Sequence, residues 1–138
     1  MINRGNGEIS IGHVTIGPNY TTEMFINSQL YDYLLREDHH VYTSFYLKPQ
    51  NIDSKLFSIT LHFDQKNTLK IIMLSILPDG HLPTWDNWSK EDQLKIKSLN
   101  DKWLKTTIGR SPYNYSWGEI FSEYDPRSGS SIITIRYY

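Results

Sequence analysis

The sequence predicts an α+β domain in which a mostly antiparallel sheet of about six strands packs against one long helix, with a short N-terminal helix. Residues 57–63 alternate between apolar and polar side chains, the pattern of a strand with one buried face. Residues 90–108 instead repeat their apolar side chains at helical spacing. Residues 113–138 form two aromatic segments around a turn sequence, as in a β-hairpin. The length of 138 residues fits a single domain covering residues 1–138.

The N-terminal part predicts one strand followed by a short helix. The apolar residues of this strand are Ile9, Ile11, Val14 and Ile16. Their alternation shifts by one place near Gly12, which predicts a bulge or a bend within a single strand. Thr21 or Thr22 then supplies the N-cap of the helix, with Glu23 in the first turn. We expect this helix to run towards Leu34.

Three further strands are predicted in the middle of the chain. The period-two pattern of residues 41–47 is broken by Pro49. Residues 57–63 and 69–77 form a hairpin around a short polar turn. Because residues 71–74 are all apolar, both faces of the second strand are apolar. We therefore expect it to lie centrally with a packed element on each side, one of them the long helix.

The long helix has recognisable signals at both ends. Ser89 followed by Asp92 resembles a capping box, and Gly109 supplies a stop with positive φ. The residues expected to face the sheet are Ile96, Leu99 and Trp103, flanked by Leu94, Leu104 and Ile108. Charged residues, mostly lysines, occupy the opposite side, so only one face of this helix is expected to pack.

The C-terminal residues predict a closing hairpin. Residues 113–117 alternate as a strand, Gly118 interrupts the pattern, and residues 120–124 resume it on a shifted phase. Residues 125–129, Asp-Pro-Arg-Ser-Gly, predict a turn. A final strand covers residues 131–138 and completes the hairpin.

Composition narrows the class of function. With 14 basic and 15 acidic residues the formal charge is −1, which does not fit a protein that tracks phosphates, so no nucleic-acid partner is expected. The absence of cysteine excludes disulfides, thiolate metal sites and a cysteine nucleophile. The N-terminus has no signal-peptide core and no apolar run reaches membrane length, so we expect a cytoplasmic protein with no membrane partner.

Two segments of the sequence contain residue types that are used in catalysis or metal binding. His39-His40 beside Glu37-Asp38 could bind a metal, but a solvated polar loop explains this segment better. Ser128 precedes a strand and not a helix, so a hairpin turn is favoured over a nucleophile elbow. The sequence therefore predicts no catalytic residue, cofactor or metal site, and it does not indicate an enzyme.

Carboxylates and tryptophans give the remaining candidates. Glu119 and Glu123, with Asp125, could share one hairpin edge as glycosidase carboxylates do, although solubilising edge residues are the favoured interpretation. Asp125 is further expected to shape its turn through an Asx-type hydrogen bond. Trp103 and Trp117 are expected to fill the space between the helix and the sheet. For Trp85 and Trp88, which lie in a polar loop, packing and partner binding are equally supported.

An ordered series of segments resembles a family of small, stand-alone bacterial proteins. The segments are Trp-Asp-Asn-Trp-Ser-Lys-Glu at 85–91, Asn-Asp-Lys-Trp-Leu at 100–104, Gly109, Tyr-Asn-Tyr-Ser-Trp-Gly at 113–118 and Tyr-Asp-Pro-Arg-Ser-Gly-Ser at 124–130. Upstream, Ile-Gly-Pro-Asn-Tyr-Thr at 16–21, Phe25 and Ser28 also fit. Many proteins of this family look like immunity proteins of polymorphic toxin or contact-dependent growth inhibition systems.

The resemblance implies a protein that binds and neutralises a cognate bacterial toxin domain stoichiometrically and has no catalytic residues. Aromatic anchors and local acidic charge suit such a binding surface. The predicted partner-binding residues are Trp85, Asp86, Trp88, Glu91, Asp92, Glu119 and Glu123. Two other functions stay open: a non-enzymatic interaction or scaffold protein without a toxin partner, and a small enzyme with an unrecognised site.

Overall fold

The computed structural model describes residues 2–82 and 84–138, which form an α+β fold. The strands are Ile9–Ile11 (β1), Val14–Ile16 (β2), Leu34–His39 (β3), Thr43–Ile52 (β4), Lys55–Phe63 (β5), Leu69–Ile76 (β6), Tyr113–Tyr115 (β7), Gly118–Asp125 (β8) and Ser130–Tyr137 (β9). The helices are Thr22–Ile26 (α1) and Lys90–Ile108 (α2), and 3₁₀ turns cover Gln29–Tyr33 and Trp85–Asn87. Within the described residues, no helix combines the length and the apolar character that a membrane crossing requires.

The main sheet has seven strands in the order β3-β4-β5-β6-β9-β8-β7, and every neighbouring pair is antiparallel. It is therefore larger than the six strands predicted. The clean alternation of β5 is confirmed, because Phe57, Ile59, Leu61 and Phe63 are all buried. The last strand, β9, lies between β6 and β8 and so joins the two halves of the sheet.

Both the long helix and the N-terminal elements pack on one face of this sheet. Trp103 of α2 contacts Phe57, with ring centroids 4.8 Å apart. Phe25 of α1 contacts Phe45 (4.7 Å) and Phe63 (6.2 Å), which lie on the same face as Phe57. The other face carries half-buried residues of β6 such as Met73. The prediction of a packed element on each side of β6 is therefore wrong, and the fold has two layers.

The N-terminal strand is a hairpin and not a bulged strand. β1 pairs with β2 through Ile9–Ile16 and Ile11–Val14, and the chain reverses at Gly12, whose φ is +61°. The predicted cap of α1 is confirmed, since the Thr21 side chain accepts a hydrogen bond from the backbone N–H of Met24 (3.2 Å). The helix ends early, at Ile26, because Ser28 caps a separate 3₁₀ turn.

Two interpretations of the middle of the chain are also corrected. The polar segment predicted as a loop at residues 37–40 largely belongs to the edge strand β3, which extends to His39. Its polarity suits an edge that faces solvent. Pro49 does not end β4, because the strand absorbs it at a shift of register between Leu47 and Gln50 and continues to Ile52.

Helix α2 begins and ends as predicted, but its buried face differs. Ser89 Oγ accepts a hydrogen bond from the backbone N–H of Asp92 (3.1 Å), and Gly109 has a φ of +89°. Leu94 and Leu99 are exposed, contrary to the prediction, although the predicted core residues Ile96, Trp103, Leu104 and Ile108 are buried. The remaining buried positions of the helix are polar, at Gln93 and Asn100.

These two polar residues bind the sheet where β6 and β9 separate. The pairing of β6 with β9 ends at Leu74 and Ile133, which leaves backbone N–H groups beyond it without strand partners. Asn100 Oδ1 accepts the N–H of Ile76 and Gln93 Oε1 accepts the N–H of Ser131, each at 3.0 Å. The helix thus satisfies buried donors that the sheet cannot.

The C-terminal part contains two hairpins. The predicted interruption at Gly118 is the first residue of β8, which follows a two-residue turn and pairs with Tyr115 of β7. Trp117 lies in that turn, stacks on Tyr115 (4.9 Å) and donates from Nε1 to the carbonyl of Arg4 (2.8 Å). It does not lie between helix and sheet as predicted, whereas Trp103 does. The turn between β8 and β9 is confirmed.

Candidate functional site

The two tryptophans before α2 have different environments. Trp85 begins a 3₁₀ turn and leaves 82% of its surface exposed. Trp88 is 39% exposed, and its Nε1 donates to the carbonyl of Gly129 at 2.7 Å. A Cβ on Gly129 would lie only 3.0 Å from that nitrogen, so glycine allows the indole to approach the turn closely. Trp88 therefore fixes the loop to the β8–β9 turn, and Trp85 projects from a fixed loop.

Three carboxylates follow Trp85 closely in the sequence, one in the same 3₁₀ turn and two at the start of α2. Asp86 is exposed in the same 3₁₀ turn, and Glu91 and Asp92 are exposed in the first turn of α2. Glu91 forms a long ion pair with Lys95, at 3.7 Å. Their charge is favourable beside the positive end of the helix dipole. We call Trp85, Asp86, Glu91 and Asp92 the Trp85 surface.

The other two predicted carboxylates lie elsewhere. Glu119 and Glu123 alternate with Ile120, which is buried beneath α2, so they are on the sheet face that α2 does not cover. Glu119 forms an ion pair with Arg136 of β9, and Glu123 is exposed. The seven residues predicted to bind a partner therefore do not form one surface.

Asp125 shapes the turn on which Trp88 packs. Its Oδ1 accepts the backbone N–H of Arg127 at 2.9 Å, which is the Asx-type bond predicted. This backbone hydrogen bond, followed by the side-chain bond from Arg127, lowers the pKa of Asp125. The carboxylate is thus held in its ionised form by the turn, which fits a structural role.

A groove of about 680 Å³ lies between the second half of α2 and strands β7 and β8. Lys97 and Asp101 meet in it with a 2.7 Å ion pair. Tyr113 donates from its hydroxyl to the carbonyl of Gly109 (2.9 Å), and burial raises its pKa. Lys105 and Arg110 also line the groove, but they form no ion pair with another described residue.

Three features of the described surface could meet a partner: the Trp85 surface, the groove and the uncovered sheet face. No family model matches the sequence, and no curated protein or solved structure matches it either. Across residues 2–82 and 84–138, no group of three or more His, Asp or Glu side chains could hold a metal ion. Trp85 has the largest exposed fraction among the large apolar side chains described.

The uncovered sheet face carries a cross-strand row of side chains, which are half-buried except for the buried Thr134. The row runs through Tyr46, Thr60, Met73, Thr134 and Phe121 on five neighbouring strands. Arg36 of β3 covers the ring of Tyr46, 4.1 Å from its centroid. Beside this row, Ser44 and His62 form a hydrogen bond of 2.6 Å between Oγ and Nδ1. His62 Nε2 is buried and has no hydrogen-bond partner among the described residues.

The environment of His62 predicts a pH dependence of stability. Burial lowers the pKa of His62 below its ordinary value of 6.5. The imidazole of His62 therefore binds a proton more readily in the unfolded chain than in the folded protein. The contribution of neutral His62 to stability is full above about pH 6.5 and is lost as pH falls through the pKa that His62 has in the folded protein. We expect urea unfolding to show a lower free energy at about pH 5 than at about pH 7, with a smaller difference in His62→Gln. Equal differences in both proteins would contradict this role.

Proposed function

We propose that this protein is an immunity protein that binds a cognate bacterial toxin domain in the cytoplasm and neutralises it stoichiometrically, without catalysis. The exposure of Trp85 is the observation that carries the proposal. Burial of a large apolar side chain stabilises a fold by about 2 kcal/mol, and Trp85 does not contribute this stabilisation. Tryptophan is among the residues that most often anchor protein interfaces.

The surroundings of Trp85 suit tight binding. The bond from Trp88 to Gly129 fixes the loop in advance, so less conformational entropy is lost when a partner binds. The carboxylates of Asp86, Glu91 and Asp92 complement a basic toxin surface and would speed the encounter. The net charge of only −1 confines this attraction to the local surface. The family resemblance of the segment 85–91 supports the same function.

Co-expression tests the proposal. A toxin domain encoded beside the gene for this chain should arrest growth, and this chain should restore growth and form a stable complex with the toxin. Neutralisation should require about one copy of this chain per toxin. Neutralisation by far fewer copies would instead favour the enzyme alternative. If the neighbouring genes encode no toxin and no toxin domain is bound, a scaffold role without a toxin partner replaces the proposal.

Replacing Trp85 by alanine should weaken the toxin complex by about 2 kcal/mol or more, roughly 30-fold in Kd, with the same thermal stability as wild type. Calorimetry of the purified complex measures the first effect and thermal unfolding the second. Tyr138→Ala is the matched control, because Tyr138 is also aromatic and is 68% exposed. Tyr138 lies beside Trp117, which belongs to the turn between β7 and β8 and not to the Trp85 surface. Equal affinities for Trp85→Ala and wild type would show that the chosen surface is wrong.

Trp88→Ala separates the anchor of the loop from its contact residue. This variant loses the Trp88–Gly129 hydrogen bond, so we expect a loss of about 1 kcal/mol in unfolding free energy in addition to weaker binding. Trp85→Ala should show only weaker binding. A loss of stability in both variants, of similar size, would mean that Trp85 packs against the domain.

A further inference from the structure

Strand β8 has an edge that the sheet leaves open. Its neighbour β7 pairs only with Gly118, Glu119 and Ile120. The rest of β8, residues 121–125, pairs with β9 on one side and, within residues 2–82 and 84–138, with no strand on the other. The groove described above runs along this open side and is lined by Phe121 and Ser122.

The hydrogen-bonding groups at this edge can be assigned. The backbone N–H of Tyr138 donates to the carbonyl of Trp117 (3.0 Å), directly before β8. Antiparallel strands alternate the direction of their backbone groups, so odd-numbered residues of β8 bond to β9 and even-numbered residues point away. Gly118 and Ile120 point to β7, and Ser122 and Tyr124 point to the open edge. A further strand could therefore bond to Ser122 and Tyr124.

A second observation at the same edge points to a missing partner. The hydroxyl oxygen of Ser122 is buried without a hydrogen-bond partner among the described residues. The opposite edge of the sheet, β3, differs, because Arg36, Glu37 and Asp38 and a shift of register protect it from pairing. The open residues of β8 carry charge only at Glu123 and Asp125, and Phe121 and Ser122 have no such protection.

The charged side chains beside the open edge of β8 indicate which kind of strand could bind there. Along the side of α2 that borders β8, Lys90 lies 5.8 Å from the ring centroid of Tyr124, and Lys97, Lys105 and Arg110 line the groove. Two carboxylates line the groove, and both are paired: Asp101 with Lys97, and Glu119 with Arg136. An added strand would thus meet excess positive charge on its α2 side and Phe121 and Glu123 on its other side.

We propose that the edge of β8 accepts an extended segment of the toxin as an eighth strand, with acidic side chains directed towards α2. This rests on the toxin-binding function proposed above and deepens it by naming the mode of capture. Main-chain hydrogen bonds to Ser122 and Tyr124 supply affinity, and alternate side chains supply specificity. Tyr124, at the end of the open edge, contacts Lys90, which follows Trp88 closely in the sequence. The added strand would therefore end beside Trp88, where the Trp85 surface begins.

A second copy of this chain fits the edge less well. The antiparallel register that pairs all five residues 121–125 with the same residues of another copy places Glu123 opposite Glu123. Shifting the pairing so that Tyr124 lies opposite itself places Glu123 opposite Asp125. Like charges directly opposite each other destabilise a strand pair. A shift in the other direction runs into β7.

Amide exchange measured by NMR on the full chain tests the proposal. The probes are two short peptides, Asp-Val-Asp-Val-Asp-Val and Lys-Val-Lys-Val-Lys-Val. The acidic peptide should slow exchange of the Ser122 and Tyr124 amides by about 10-fold or more when the edge is mostly occupied, and the basic peptide should not. No slowing by either peptide, or equal slowing by both, would overturn the proposal. Slowing without peptide that grows with protein concentration would overturn it in favour of self-pairing.

Charge reversal provides the matched variants. Lys105→Glu with Arg110→Glu should reverse the preference, so that the basic peptide protects Ser122 and Tyr124. Lys66→Glu with Lys102→Glu makes the same change in net charge at exposed sites outside the groove and should retain the preference for the acidic peptide. A reversal in both double variants would mean that overall charge, and not the groove, selects the peptide.

The toxin complex separates this inference from the proposed function. If the toxin domain is bound and neutralised but exchange at Ser122 and Tyr124 is unchanged, strand addition is wrong and the immunity function stands. If the acidic peptide protects both amides but the toxin domain is neither bound nor neutralised, the edge is a peptide site and the immunity function is wrong.

Discussion

Replacing Gly118 by alanine should prevent folding or lower the free energy of unfolding by about 3 kcal/mol or more. A Cβ at this position would lie 2.1 Å from the backbone carbonyl oxygen of Arg136, far inside van der Waals contact. That oxygen belongs to the neighbouring strand β9 and cannot move aside as a flexible side chain would. Gly118 is thus required because the absence of a side chain allows β8 and β9 to approach closely. Its backbone conformation does not require glycine, because its φ is not positive.

The measurement is urea unfolding followed by tryptophan fluorescence. Gly5→Ala is the control: its added Cβ would lie 3.2 Å from Oδ1 of the exposed Asn3, which accepts the Gly5 N–H and has to shift by only a few tenths of an ångström. We expect this control to change the unfolding free energy by about 0.5 kcal/mol at most. A stable Gly118→Ala protein would mean that β8 and β9 do not approach each other this closely at Gly118.

Replacing Asn100 by alanine should cost about 2 to 3 kcal/mol of unfolding free energy, although alanine is the better helix former. Asn100 is fully buried, and its Oδ1 accepts the backbone N–H of Ile76 at 3.0 Å. The variant leaves this donor buried and unpaired and creates a small cavity. Chemical denaturation at equilibrium measures the loss.

Ser98→Ala is the matched helix control, because Ser98 is exposed on α2. It gains helix propensity without losing a buried bond, so it should be neutral or slightly stabilising. Asn100→Asp provides a second test, since it retains the acceptor but introduces charge into a buried site. If Asn100→Ala unfolds like wild type, the Ile76 amide has another acceptor and the contact between α2 and β6 is of minor importance.

The elements with strong local signals could be predicted from the sequence. Ser89 and Gly109 mark the ends of α2 because capping depends on residues within one turn. Strand β5 was clear because one of its faces is buried and the other is not. The two-residue turns at 12–13 and 116–117 lack the Asn-Gly or Asp-Gly signature, so the sequence predicts irregular strands in place of these hairpins.

Other features depend on tertiary contacts that no local pattern contains. The sequence predicts no role in packing for Gln93 and Asn100, yet the parting of β6 and β9 requires acceptors at these positions. The edge strand β3 is too rich in charge to show a buried face. In the candidate site, the sequence identified both Trp85 and Trp88, but only the Gly129 carbonyl distinguishes the anchored side chain from the free one.

The position of β9 between β6 and β8 affects how the chain folds. During synthesis β6 is complete more than 50 residues before its partner Ile133 emerges, so its edge stays open while α2, β7 and β8 are made. Loop closure over such a separation slows folding, and an open central strand can join other nascent chains. Final closure of the sheet therefore depends on β9, which follows the other six strands of the sheet along the chain, and loss of β9 would expose the edges of β6 and β8 together.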